Sequence, residues 1–261
     1  MTAQGVLLVT AVVWAVSLIR PVRWRAFVAS LPLPMSAALL ATGYQVDGGQ
    51  LVGVVGLNLF FGIVLLTHHR LRWPILLADL AGIAGYLAVA AALGPVALPL
   101  LPTLAGVVLL WLIAVLVLGR WAPAPDPDPV VASEAARLPA AVRLLLILAG
   151  ATLTGLLGQV LRGLVVTFPY AGVLVAVEVR RELPEFCRHF VRNSLALIGF
   201  LAGVYLGQEV SGGVALALGW AGFGLIAAAL HLPPYLHGKR SSAAVTATGS
   251  VAEPASDDGK R

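Results

Sequence analysis

Charge is scarce in this chain. Of its 261 residues only 11% are Asp, Glu, Lys or Arg, where a soluble domain carries about 25%. Too few polar side chains are left to cover a water-exposed surface, so a soluble globule is excluded. Cysteine is nearly absent too. The single Cys187 excludes an internal disulfide and any cysteine-based metal cluster. The opening Met1-Thr-Ala-Gln has no positive n-region, and Arg20 follows the first apolar run rather than preceding it, so no cleavable signal peptide is expected. The sequence also lacks a Walker loop, a His-Glu-x-x-His pair, a nucleophile elbow with a soluble pocket, and a Cys–His cluster. No catalytic residue, metal or cofactor is expected, and no enzymatic activity; a lipid-modifying enzyme is the third-ranked function.

What the chain has in abundance is apolar. Hydrophobic residues make up 59% of it, with a mean hydropathy of +0.94. A spanning helix needs about 20 mostly apolar residues, and nine such runs can be read, near 5–19, 26–43, 51–67, 73–94, 97–119, 139–157, 162–179, 190–207 and 212–231. Unpaired backbone groups are not tolerated in hydrocarbon, so these runs are helices. The expected fold is an all-α polytopic membrane protein with about nine transmembrane helices. The softest boundary is Gly94-Pro-Val-Ala-Leu-Pro99, readable as a turn or as a kink. Pro123-Ala-Pro-Asp-Pro-Asp-Pro129 reads as an extended polar linker, and the Ser-, Ala- and Thr-rich tail from Ser241 to Arg261 as disordered.

A pI near 9.9 would point to nucleic acid in a soluble protein. Here the basic residues follow the positive-inside rule. With the N-terminus outside and nine spans, every Lys and Arg but Arg162 falls in an inner loop or the inner tail. This predicts a bacterial cytoplasmic-membrane protein with an external N-terminus and a cytoplasmic C-terminus. It also removes nucleic acid from the expected partners.

Arg25-Ala-Phe-Val-Ala-Ser-Leu-Pro32 is nearly repeated as Arg162-Gly-Leu-Val-Val-Thr-Phe-Pro169. An odd number of spans separates the copies, so the second is inverted relative to the first. Asn58 and Asn193 follow at similar distances downstream. These features predict two inverted-topology four-helix repeats joined by a linking helix. The expected units are 1–94 for the first repeat and 95–137 for the linking helix and linker. The second repeat is 138–234, and a disordered cytoplasmic tail is 235–261.

The segment from Leu144 to His231 resembles the GlpM-like small membrane proteins. The likeness is carried by a first apolar helix, then "GLVVTFPYAGVLVAVEV", the basic "RRELPEFCRHFVRNS", and two further helices. Phe168-Pro169 is its most specific element; the first half is similar only loosely, with Leu31-Pro32 in that place. The resemblance implies two fused four-span units and envelope-related work. It implies no mechanism.

Pro32 and Pro169 are expected about seven residues into their spans, where a proline removes a hydrogen bond and bends the helix. Paired breaks of this kind either mark a transporter's central site or serve packing. Ser36 in the first copy and Thr167 in the second would add polar groups there. Arg25 and Arg162 open the two helices and read as gates for an anionic group; Arg25 also suits an interfacial anchor. Asp79 stands ~9 Å into its span, where a carboxylate costs about 3 kcal/mol and normally faces a cavity or partner. Asn58 and Asn193 either line a polar centre or bond helix to helix, and Glu178 is a secondary candidate beside Arg180 and Arg181. The function expected is a transporter or flippase for a small or lipid-linked, anionic solute. The alternative is an accessory membrane subunit of an envelope-polymer or biosynthetic machine. Expected partners are the bilayer, such a solute, and a second copy or other membrane subunits.

Overall fold

A computed structural model describes residues 30–43, 45–93, 96, 98–121, 162–180 and 182–249. The expected spans near 5–19 and 139–157, the Pro/Asp linker and Arg25 lie outside the described residues. Everything regular within them is helical. In chain order the elements are α1 (Leu33–Thr42), α2 (Gly48–Leu65), a π turn (Leu66–Arg70), α3 (Ile75–Leu93) and α4 (Leu100–Trp121). A 3-10 turn (Arg162–Thr167), α5 (Tyr170–Glu178), α6 (Leu183–Gly207) and α7 (Gly212–Gly249) follow. Five of these, α2 with its π turn, α3, α4, α6 and α7, are long and apolar enough to cross a membrane. The protein is an integral membrane protein.

Three expectations change. The runs 26–43 and 162–179 are not single bent spans. Pro32 and Pro169 stand immediately before α1 and α5, whose 10 and 9 residues reach only ~15 Å. Proline's fixed φ suits a helix start and its missing N–H costs nothing there, so each proline begins a half-length helix instead of kinking a full one. The eighth span starts at Leu183 rather than near 190, and takes in most of the basic segment expected as a loop. Pro184 in its first turn, Glu185 after it, and the Glu185–His189 pair at 3.6 Å explain that start. The last helix runs on to Gly249, past the expected tail boundary at 235.

α2 and α6 form the centre. They run antiparallel: the start of α2 meets the end of α6, where Gln208 Oε1 accepts from Val46 N at 2.7 Å and its Nε2 donates to Val46 O at 3.1 Å. At the other end Phe61 packs on Phe186 and Phe190, with ring centroids 5.2 and 4.5 Å apart. Of the most apolar stretch, 67% is buried in α6 and 6% in α4, which sets α6 inside and α4 at the outside. α3 pairs with α2 and α7 with α6 as antiparallel hairpins, while α4 touches both central helices. The N-terminus of α2 is fixed by reciprocal bonds between Asp47 and Gln50, a capping box. Gly43 closes α1 at φ 65°, a left-handed cap that glycine adopts without steric cost.

The two hairpins differ in how closely they pack. A Cβ on Gly203 or Gly207 would strike the backbone of α7 at Leu218 or Ala215, and one on Gly222 would strike Gly199 of α6. On α3, a Cβ at Gly82 would instead meet side-chain atoms of Phe60 and Val64. Small residues spaced by four let membrane helices approach backbone to backbone, and Gly199, Gly203 and Gly207 supply that spacing. The ends of the bundle differ in charge. Arg70, Arg72, Arg120, Arg180, Arg188 and Arg192 belong to one end, and Asp47 and Glu209 to the other.

Candidate functional site

The half-helices border a small apolar cavity. α1 and the 3-10 turn touch each other, and the turn and α5 lie against α2. Between them and the central pair is a space of about 40 Å³, lined by Leu31, Met35 and Leu57 from the first half and by Phe168, Gly172 and Leu197 from the second. That is room for two or three waters, yet nearly every lining group is apolar. Thr167 supplies the one polar side chain in the lining. Its hydroxyl is engaged 2.8 Å from Tyr86 Oη, which also donates to Leu164 O at 2.9 Å. A space of this kind stays dry or takes hydrocarbon. In this conformation it offers no group to bind a charge.

The structure brings some predicted residues together and separates others. Pro169 and Thr167 line the cavity; Pro32 is buried between the lining residues Leu31 and Pro34. Ser36 accompanies α1, with its hydroxyl oxygen buried and without a hydrogen-bond partner. Asn58 and Asn193 do not line the cavity. Asn58 Nδ2 donates to Ser194 Oγ at 2.9 Å, tying α2 to α6 at mid-membrane. Asn193 Oδ1 lies 3.1 Å from His231 Nε2, tying α6 to α7. Both asparagines therefore bond helix to helix.

Asp79 is also separate from the cavity. It is buried on α3, and among the described residues neither carboxylate oxygen has a hydrogen-bond partner. Arg162 opens the 3-10 turn and Glu178 ends α5, but their side chains are not among those described.

Sequence reasoning missed the residues that hold the half-helices in place. Tyr86, on α3, anchors the turn before α5 and packs on the face of α2 opened by Gly56. In the second half, Phe223 of α7 and Ala196 of α6 share a small space with Ser30 and Asn193. Gly82-Ile-Ala-Gly-Tyr86 and Gly219-Trp-Ala-Gly-Phe223 stand the same number of residues after Pro32 and Pro169. That second echo was legible in the chain. Its contacts are matched as well: Gly82 faces Phe60 and Val64, and Gly219 faces Phe200 and Val204. Neither a known protein family, nor a characterised protein, nor a solved structure matches the chain.

Proposed function

We propose that the chain is a membrane transporter or flippase built from two inverted repeats, and that its cavity receives the apolar part of a lipid or lipid-linked solute. The observation that carries this reading is the composition of the cavity wall. Leu31 with Phe168, Met35 with Gly172, and Leu57 with Leu197 occupy corresponding places in the two halves, so the space lies where a two-fold axis would pass. The antiparallel course of α2 and α6 supports an axis that runs across the helices, in the membrane plane, as in transporters with inverted repeats. Half-length helices beginning at Pro32 and Pro169 are the discontinuous elements such folds move. Each half then corresponds to one four-span unit of the kind the GlpM-like proteins have.

The basic end is cytoplasmic in this reading, by the positive-inside rule. The solute's anionic group stays at the membrane surface, where Arg162 and Arg25 are proposed to meet it, while its chain enters the cavity. An accessory subunit is the second reading, favoured by the nearly bare surface of α4, which a partner helix could cover.

Photolabelling tests the two readings. The protein is reconstituted with a phospholipid carrying a photoactivatable diazirine in its acyl chain, illuminated, and mapped by peptide mass spectrometry. Adducts are expected on Met35, Leu57 or Leu197, and Leu197→Trp should fill the cavity and remove them. Adducts confined to outward residues of α4, such as Leu109 and Leu116, would overturn the proposal.

A further inference from the structure

The buried carboxylate on α3 is not used by the cavity just described, and packing does not demand it. Asp79 shares a stripe with Ala78, Gly82, Tyr86 and Ala90, all facing inward. At the corresponding place on α7 stands Leu216, half-buried against the core cluster, so an apolar side chain of similar size serves the second hairpin. Asp79 is 2% exposed and both of its oxygens are unpartnered. A carboxylate ionised in that setting would bear the full cost of an uncompensated buried charge.

Among the described residues no hydrogen bond compensates it. Among the described residues, the elements packed on α3 are α2 with its π turn, α5 and, at Tyr86, the 3-10 turn. Their titratable or charged residues near this level are His68, His69 and Arg70 on the π turn and Glu178 at the end of α5. His68, His69 and Arg70 make no hydrogen bond to Asp79; the Glu178 side chain is not among those described. His68 Nδ1 is committed to Trp73 O at 2.8 Å, and the buried Thr67 hydroxyl to Ile63 O at 2.7 Å.

We propose that Asp79 is a proton-binding site at the seam between α3 and the half-helix α5, and that its proton holds α5 in its seat. The carboxylic acid is the form compatible with the closed seam. Asp79 is the fifth residue of α3, ~6 Å from the basic end of the bundle, so water at that end is both source and sink of the proton. The link to the half-helix is Phe60. Its ring fills the space beside Gly82, one turn along α3 from Asp79, and lies 3.1 Å from the Cβ position of Gly172 on α5. It also packs edge-on against Phe61, a cavity wall residue, with centroids 5.0 Å apart. Loss of the proton leaves a charge that must draw in water, and water entering there displaces Phe60 and frees α5. The consequence for transport rests on the proposed function; the proton site itself does not.

Two measurements test it, each on wild type, Asp79→Asn and Asp79→Leu in lipid. Infrared difference spectra between acid and alkaline pH should show a protonated-carboxyl band in the wild type at neutral pH that both variants lack. Amide exchange across 170–178 should be roughly tenfold faster in wild type than in the variants at alkaline pH, and equal at acid pH. A band unaffected by Asp79→Asn, or equal exchange at both pH values, would overturn the proposal. So would a change that follows sodium rather than pH, which would mark a metal-cation site. A band lost in both variants, together with failed photolabelling of the cavity, would keep the proton site and dismiss the transporter.

Discussion

The two hairpins, α2 with α3 and α6 with α7, solve the same packing problem in different ways. In the second, Gly203, Gly207 and Gly222 bring backbone against backbone at Leu218, Ala215 and Gly199, although Gly219 meets the side chains of Phe200 and Val204. In the first, the ring of Tyr86 and the side chains of Phe60 and Val64 fill the space that the glycines open. The close hairpin has less room to adjust where backbone meets backbone. The side-chain-filled one can shift by rotamer changes, and it is the one that carries Asp79 and anchors the turn before α5. In membranes the drive for association is contact rather than exclusion of water, so the backbone-packed pair is the stiff half and the other the adaptable half.

Breaking the stiff hairpin should have the largest effect. Gly203→Leu puts a branched side chain into the backbone of α7 and should cost more than about 3 kcal/mol, seen as loss of the monodisperse peak in detergent chromatography. Gly82→Ala in the adaptable hairpin should cost about 1–2 kcal/mol and leave a folded protein with a lower melting temperature. Equal damage from both would erase the distinction.

Asp79→Leu sharpens the comparison by making the first hairpin resemble the second. Removing a buried, unpartnered carboxyl should stabilise the fold by about 1–3 kcal/mol, measured as a rise in melting temperature in detergent. A fall would mean that the carboxyl has a structural partner.

Tyr86→Phe makes a smaller exchange, since Phe223 holds the corresponding place. It removes the hydroxyl that donates to Leu164 O and pairs with Thr167, leaving Leu164 O only the longer bond from Thr167 at 3.3 Å, and should cost about 1–2 kcal/mol. Amide exchange should quicken in 162–167 and not in α6.

The smallest effect is expected from Asn58→Leu. The bond to Ser194 is one interhelical contact in lipid, worth about 0.6 kcal/mol, and the buried Asn58 Oδ1 has no partner to lose. A large loss would return Asn58 to the solute pathway.

Much of this was legible before any coordinates. Membrane class follows from scarce charge, and α2, α3, α4 and α7 begin within three residues of where apolar runs placed them. The half-helices were not legible, because hydropathy cannot distinguish a proline inside a span from one that starts a shorter helix. The early start of α6 was hidden by Arg188, His189 and Arg192, which composition assigns to a loop, although Pro184 and Glu185 carry a helix-start signal. Asn58 and Asn193 looked paired by spacing. Packing instead matches Asn193 with Gly53: Asn193 shares a small space with Ser30, and Gly53 faces Thr167. Side-chain partners of that kind depend on which helices meet, and no period along one helix records it.

That the cavity lies on a transport path is the central claim, and cysteine accessibility from each side tests it most directly. Met35→Cys is placed in a Cys187→Ala background, and a membrane-impermeant thiol reagent is applied to sealed vesicles of each orientation. Labelling from both sides is expected. A disulfide between Val46→Cys and Gln208→Cys should abolish it from the acidic end alone, because those residues already join α2 to α6 there. Labelling from a single side, or labelling that the disulfide leaves unchanged, would contradict the account.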